Sequence, residues 1–346
     1  MIYNKRRTVR NTPATILFIC GSLNQTTMMH RIAQGLPEHH AVFTPYYGDG
    51  VVTLLGKTGL LDHTVAGRQY QERTMQYLKK EGLEVDWGGT AYEYDLVVTC
   101  SDLIVPKNIR HRKIVLVQEG MTDPEGLAYH LVRHLKLPRY LASTSTTGLS
   151  NAYVRFCVAS EGYKEHFVRK GASASKITVT GIPNFDNCDA YRELPFPHRS
   201  FVLAALSDMR ETLRYENRPR FIDRCLQIAD GRKLIFKLHP NENTHRALWE
   251  IERYAPDALA YHSCDINPMI AHCDELVTRY SSVVYVAHAL GKRIHSDLDP
   301  SVLARLAPLQ NGGTRSHAIA DVCREVLEHV STIIPVQQWW RKAAVL

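Results

Sequence analysis

The chain has 346 residues, of which 45% are hydrophobic and 22% charged, with a formal net charge of +7. That length exceeds one ordinary core and fits two domains, and the composition excludes a disordered or fibrous chain. No run of about eighteen apolar residues occurs, so no transmembrane helix is expected.

The first twelve residues carry Lys5, Arg6, Arg7 and Arg10. Such a cluster suits peripheral contact with an anionic membrane face as well as a solvated terminus. The apolar stretch that follows, "TILFIC" (15–20), is only strand-length and has no small-residue cleavage site after it. A cytoplasmic protein, free or peripheral at the inner membrane face, is therefore expected. Basic residues do not alternate with aromatics and no nucleic-acid signature is present, so nucleic acid is not an expected partner.

From there apolar runs alternate with amphipathic segments of helix length. "TILFIC" leads through a Gly-Ser-Leu-Asn loop into "TTMMHRIAQGL". "HAVFTPYY", "DLVVTC" (95–100), "KIVLVQEG" (113–120), "VRFCVAS" (154–160) and "KITVTGIPNFD" read as further strands, separated by helices around "AGRQYQERTMQYLKKEG", "GLAYHLVRHL" and "GYKEHFVRKG". Gly171 supplies the glycine that commonly closes such a helix. The proline-bearing "YRELPFPHR" (191–199) reads as a linker, and the alternation then restarts with "SFVLAALS", "KLIFKLHP", "ALAYHS" and "ELVTRYSS" as strands. Continuous apolar runs without strict alternation fit parallel strands covered on both faces. Two β/α blocks predict an α/β protein with two Rossmann-like, doubly wound parallel-sheet domains, at 13–190 and 200–330, facing across a cleft.

The eight cysteines form no C-x-x-C pair and read as buried reduced thiols, not as a disulfide framework or zinc site. The histidines outside "KLHP" lack metal-ligand spacing, and no metal is expected.

In "KLIFKLHP", Pro240 holds His239 extended at a strand end. Asn241 and Asn243 suit turns or caps. The same place is the carboxyl edge where open α/β sheets bind ligands. Ser281 and Ser282 follow another strand and start the helix "VVYVAHALGK", where free amides and the dipole favour an anion. Arg210 follows the first strand of this block. Each has an ordinary structural role open to it; together they suggest a nucleotide-diphosphate site. In the first block, Glu119-Gly120 lies just past a strand, with Asp123 and Glu125 close by, and Asp123 also suits a helix cap. In "CGSLNQTTMMHR", Gly21 permits the turn and Asn24 or Thr26 caps the helix. The stretch lacks G-x-G-x-x-G, which disfavours a dinucleotide.

Lys237-Leu238-His239-Pro240, with Tyr280-Ser281-Ser282 about forty residues on and Leu290-Gly291-Lys292 closing the helix, resembles the nucleotide-binding half of GT-B glycosyltransferases. The likeness is nearest to teichoic-acid-type CDP-glycerol glycerophosphotransferases and capsule-polymer enzymes. "SEGYKEHFVRKGASASKITVTGIPNFDN" likewise resembles the exit from the first domain in GT-B enzymes and UDP-GlcNAc 2-epimerases. The likeness covers about residues 150–330, and the first domain by layout alone. It implies a GT-B fold whose last segment (331–346) crosses back to the first domain. It further implies a metal-independent transferase taking a nucleotide-activated sugar or polyol donor, of CDP/CMP or UDP type, to a glycan or lipid-linked acceptor in surface polysaccharide synthesis. Donor contacts would be Arg210, Lys237, His239, Asn241, Arg279, Tyr280, Ser281 and Ser282, replacing a metal by fixed donors. Gly21, Asn24 and Gly120 would form the acceptor-side loop, whose amides would face acceptor or diphosphate. Glu119, Asp123 and His239 would be catalytic, Glu119 as a general base lifted by burial in the cleft, with Asp123 and Glu125 near enough to share that task. Glu119-Gly120 is similar to both the Val-Glu-Ala-Gly of the epimerases and the His-Gly of the glycerophosphotransferases. One departure stands out: Val286 occupies the position of the acid that such families use to hold ribose, with Tyr285 or His288 as substitutes. The alternatives are an epimerase-like enzyme, against which the His-Arg-x-Glu-Asn pattern is missing, and a non-catalytic nucleotide-sugar-binding protein of the same fold.

Overall fold

Strands form where the apolar runs are buried on both faces, and all pair in parallel. The computed structural model describes residues 12–45, 68–212 and 214–328. The basic cluster at 5–10 and the segment 331–346 lie outside these residues. β1 (Thr15–Ile19), β2 (His40–Thr44), β3 (Leu96–Thr99), β4 (Lys113–Val117), β5 (Arg155–Val158) and β6 (Ile177–Val179) make a six-stranded sheet in the order β2-β1-β3-β4-β5-β6. β7 (Val202–Ala205), β8 (Leu234–Lys237), β9 (Leu259–Tyr261), β10 (Glu275–Val277) and β11 (Arg293–His295) make a five-stranded sheet in the order β11-β10-β7-β8-β9.

Each order reverses once. In the first sheet the chain moves outward from β1 to β2, where Val85 adds a bridge to Phe43, then returns to β3 on the other side of β1. In the second it moves from β7 to β9 and returns to β10 beside β7. Helices covering opposite faces leave a crevice at each reversal, outside the carboxyl ends of the strands. The two switch points therefore lie after β1 and β3, and after β7 and β10.

Local signals account for the helix ends. The helix Glu161–Lys170 starts on a Ser160 side-chain cap and stops at Gly171, whose φ of 110° is the left-handed conformation expected there. All eight cysteines are free thiols, and all except the half-buried Cys264 are buried.

The domain boundaries differ from the sequence reading. Cys188 and Tyr191 already pack into the core around the second sheet. The last described helix, Arg315–Glu328, assigned by sequence to the second domain at 200–330, instead buries Ile319, Ala320, Cys323 and Leu327 in the core of the first. Leu303 and Leu306, from Pro300–Leu306, join the same core. The crossing is thus made soon after β11. It is held by the buried carboxylate of Asp186, which accepts the amides of Asn311 (2.6 Å) and Arg315 (2.7 Å). An amphipathic helix shows that it covers a sheet but not which one.

Candidate functional site

Between the two sheets runs a cleft of about 880 Å³ into which both switch points open. Asn24 and Gln25 after β1, and Cys100 and Ser101 after β3, line one wall. Asp208 after β7, with Tyr280, Ser281 and Ser282 after β10, line the other.

On the first wall the site is built from a helix cap. Ser22, rather than Asn24 or Thr26, caps Leu23–Gln34. Its hydroxyl accepts the Gln25 amide (3.2 Å), while the Gln25 side chain accepts the Ser22 amide (3.3 Å). This is a capping box, legible in "SLNQ" as Ser-x-x-Gln but not singled out from sequence. The same two side chains grip Glu119, which leaves β4 into the cleft: Gln25 Nε2 donates to Oε2 (2.6 Å) and Ser22 Oγ to Oε1 (3.2 Å). Burial pushes the Glu119 carboxyl above its ordinary range, and these two neutral donors only partly offset that. Gly21 does not line the cleft. A Cβ there would stand 2.0 Å from Gln25 Oε1, so Gly21 makes room for the cradle. Gly120 and Asn24 do line it.

Asp123 also lines the cleft, but its chemistry is different from that expected. Burial raises its pKa, yet bonds from Arg214 (2.8 Å) and the Thr144 hydroxyl (2.8 Å), with the Arg214 charge, hold it below the usual carboxylate range. It is an ion-paired anion committed to the opposite domain, unsuited to be a base. Nor is it a helix cap: Gly126 occupies that position at Leu127–His134. Ser143, beside Asp123 in the cleft, has φ 50° and ψ −149°, a conformation that non-glycine residues adopt only under constraint. Nothing in "YLASTST" announces it.

On the second wall, His239 lines the cleft at the end of β8. Its Nδ1 accepts the Asn241 amide at 3.2 Å and lies 3.6 Å from Asp208 Oδ2. An accepting Nδ1 assigns the proton of the neutral ring to Nε2. Burial lowers the pKa of this ring, with Asp208 opposing the shift. Ser281 and Ser282 line the cleft before Val283–Ala289. Ser282, at the N-terminus of this helix, makes no side-chain cap, so its hydroxyl is not spent on the helix.

Four expected donor contacts lie elsewhere. Arg210 is turned into a buried network, bidentate on Glu250 (2.6 and 2.8 Å) with Glu242 at 3.3 Å. Lys237 is buried and staples two carbonyls, Leu238 (2.7 Å) and His262 (2.9 Å). Arg279 pairs with Asp297. Asn241 does not line the cleft and bridges Asp208 (3.1 Å) and the Tyr70 hydroxyl (2.9 Å). In each case a nearer protein partner satisfies the polar group, which sequence spacing does not reveal. Val286 does line the cleft, as the resemblance places it. Its suggested substitutes do not: Tyr285 is buried against the Tyr163 hydroxyl at 2.6 Å, and His288 is exposed outside the cleft. Asp265 and Asn267, at the start of Ile266–His272, are cleft residues that sequence reading missed, and Arg31 adds a guanidinium to the first wall.

No protein-family model and no curated protein matches the sequence. Solved structures do. The UDP-GlcNAc 2-epimerase from Neisseria meningitidis bound to UDP-GlcNAc is similar with a TM-score of 0.59 at 12% identity, over 90% of this chain and 100% of that one. The chain has a GT-B-type fold. The MnaA–UDP co-structure from S. aureus is similar to this GT-B chain with a TM-score of 0.56 at 11% identity, over 92% of this chain and 98% of that one. The wall teichoic acid polymerase TagF, soaked with CDPG, gives 0.50 at 12% identity, over 92% and 90%. At such identities these likenesses establish the GT-B architecture expected from "KLHP" and "YSS".

Proposed function

We propose that the chain is a GT-B-type transferase that moves a sugar or polyol phosphate from a nucleotide-activated donor, of CDP/CMP or UDP type, to a glycan or lipid-linked acceptor. One observation carries this reading: a single cleft joins Glu119 on one wall to His239, Ser281 and Ser282 on the other. Glu119 takes the proton of the acceptor hydroxyl as that oxygen bonds to the transferred group. The bond to the leaving phosphate breaks, and the negative charge left there is met by the His239 Nε2–H and the Ser281 and Ser282 hydroxyls. A carboxyl with a raised pKa and no ion pair fits the base; Asp123, pinned by Arg214, does not. The solved relatives carrying UDP-GlcNAc, UDP or CDPG support a nucleotide-activated donor.

A second reading, a nucleotide-sugar 2-epimerase-like enzyme, is supported by the position of Glu119 at the end of β4. Epimerisation must remove and return a proton at one carbon, which calls for an acid and a base. Of the other cleft carboxylates, Asp123 is ion-paired with Arg214, whereas Asp208 and Asp265 accept from neutral donors, as Glu119 does. Transfer needs only one carboxylate, and is preferred.

Thermal melting with CMP, CDP, UDP and GDP tests the donor, since a ligand selective for the native state raises the melting temperature. His239→Ala abolishes the shift. Glu119→Gln keeps the shift and lowers turnover at least about a hundredfold. Activity retained in Glu119→Gln removes the base assignment, and conversion of UDP-GlcNAc to its 2-epimer by the wild type selects the second reading.

A further inference from the structure

The segment between Asp123 and Ser143 leaves the cleft rim and returns to it, since Gly120 to Asp123 line the cleft before it and Ser143 and Thr144 after it. Its helix, Leu127–His134, is apolar on two faces, one buried and one exposed. Tyr129 and Val132 face a small buried cluster with Ala142. Leu127, Leu131 and Leu135, spaced on one face by the helical period, are 78%, 46% and 64% exposed. Leu137, Tyr140 and Leu141 extend the exposed apolar surface. Burying such a stripe on the protein itself would cost nothing in sequence, so its exposure asks for a partner. The charge of the segment states which kind. Residues 127–141 contain His130, Arg133, His134, Lys136 and Arg139 and no acid. Beside the stripe lies a hollow of about 450 Å³ lined by His130, Arg133, His134 and Arg169, with the buried Lys170 at its floor bonded to the Ser145 carbonyl and Glu125 its one acidic lining residue among the described residues. Glu125 is itself engaged by Arg169 at 3.4 Å.

We propose that this leucine face, with its basic flank and hollow, docks the first domain on the surface of an anionic phospholipid bilayer. Leucines enter the boundary of headgroups and acyl chains, while the basic side chains stay at the phosphates. Each basic residue near such a surface adds about fivefold to binding at low salt. Because the segment is spliced into the cleft rim, docking sets the acceptor side of the cleft against the membrane. The proposal concerns a surface and stands without the transferase reading.

Flotation of the full chain with vesicles tests it, without nucleotide. The chain is expected to float with phosphatidylcholine–phosphatidylglycerol vesicles and to bind pure phosphatidylcholine at least about tenfold more weakly, the difference shrinking in high salt. The triple variant Leu127→Ser, Leu131→Ser, Leu135→Ser is expected to lose at least about tenfold of that binding. It should keep the wild-type melting temperature, which separates lost docking from lost folding. A variant with Lys5, Arg6, Arg7 and Arg10 all changed to Ala should keep most of the binding. Three results overturn the proposal: a wild type that does not float, a triple variant that binds like wild type, or binding that follows the N-terminal residues alone. Sedimentation showing a wild-type dimer that the triple variant dissolves would also overturn it, making the face a contact between copies.

Discussion

Glu119 binds its proton more tightly when folded than when unfolded, so it opposes stability at the pH where a base is useful. Its folded pKa lies above the ordinary 4.5 because burial disfavours the anion more than Ser22 and Gln25 favour it. A raised folded pKa gives stability that is fully present below the unfolded value and is lost as pH rises through the folded one. Each tenfold difference in proton affinity is worth about 1.4 kcal/mol. Glutamine does not titrate; its one acceptor oxygen can meet Gln25 Nε2 while its amide N–H donates to the Ser22 hydroxyl oxygen. Glu119→Gln is therefore expected to melt about 1–3 °C above wild type at pH 7.5, with the gain vanishing as pH falls below about 4.5. Calorimetry across that range checks it, and a gain independent of pH would place the effect in packing. Turnover of the wild type should fall on the acid side as pH drops through the same raised pKa. Such a cost to the fold is what the proposed base role would ask of Glu119.

At the scale of elements, the N-terminus of Arg218–Ala229 shows what spacing cannot disclose. A cation at the first position of a helix opposes the dipole. Arg218 is nonetheless buried there, donating to Glu216 (2.7 Å) and to Glu242. Arg210 and Glu250 complete a network tying the loop after β7 to Thr244–Tyr254. Burial pushes the Glu242 carboxyl upward even against two guanidiniums. Arg218→Met keeps the volume but leaves Glu216 and Glu242 without their closest cation, and is expected to lose about 3–5 kcal/mol of stability. The shift of the urea midpoint measures it; a loss under about 1 kcal/mol would make the network dispensable. Arg210 looked like a donor contact because it follows a strand edge, and its buried carboxylates come from 32 and 40 residues away. His239, Ser281 and Ser282 were legible because a strand end and a helix start are local events. The Ser22–Gln25 box was equally local, and its signature was present. What pairs it with Glu119 is a contact across 94 residues, which no pattern within one element records.

Across the whole molecule, the alternation of buried runs and amphipathic segments was enough to read two parallel sheets, because each run reports its own burial. The destination of Arg315–Glu328 was not legible, since its apolar face would suit either sheet. That crossing makes the first domain a composite of both chain halves. Among the described residues, three bonds span the cleft: Tyr280 to the Thr122 carbonyl (2.9 Å), Arg214 to Asp123 (2.8 Å) and Tyr70 to Asn241 (2.9 Å). Arg214 is 46% exposed, so its pair adds little to stability. Such bonds are weak enough to break and well placed to bias closure, since lobes joined by polar contacts move as a default. The double variant Tyr280→Phe, Arg214→Ala is therefore expected to melt within about 2 °C of wild type. In small-angle scattering it should show a larger radius of gyration without nucleotide. A nucleotide bridging His239 and the Glu119 wall supplies contacts of its own, and should return the variant to the wild-type radius. If the radius matches wild type in both states, the lobes are held by the Tyr163–Tyr285 packing instead, and closure is not set at the cleft.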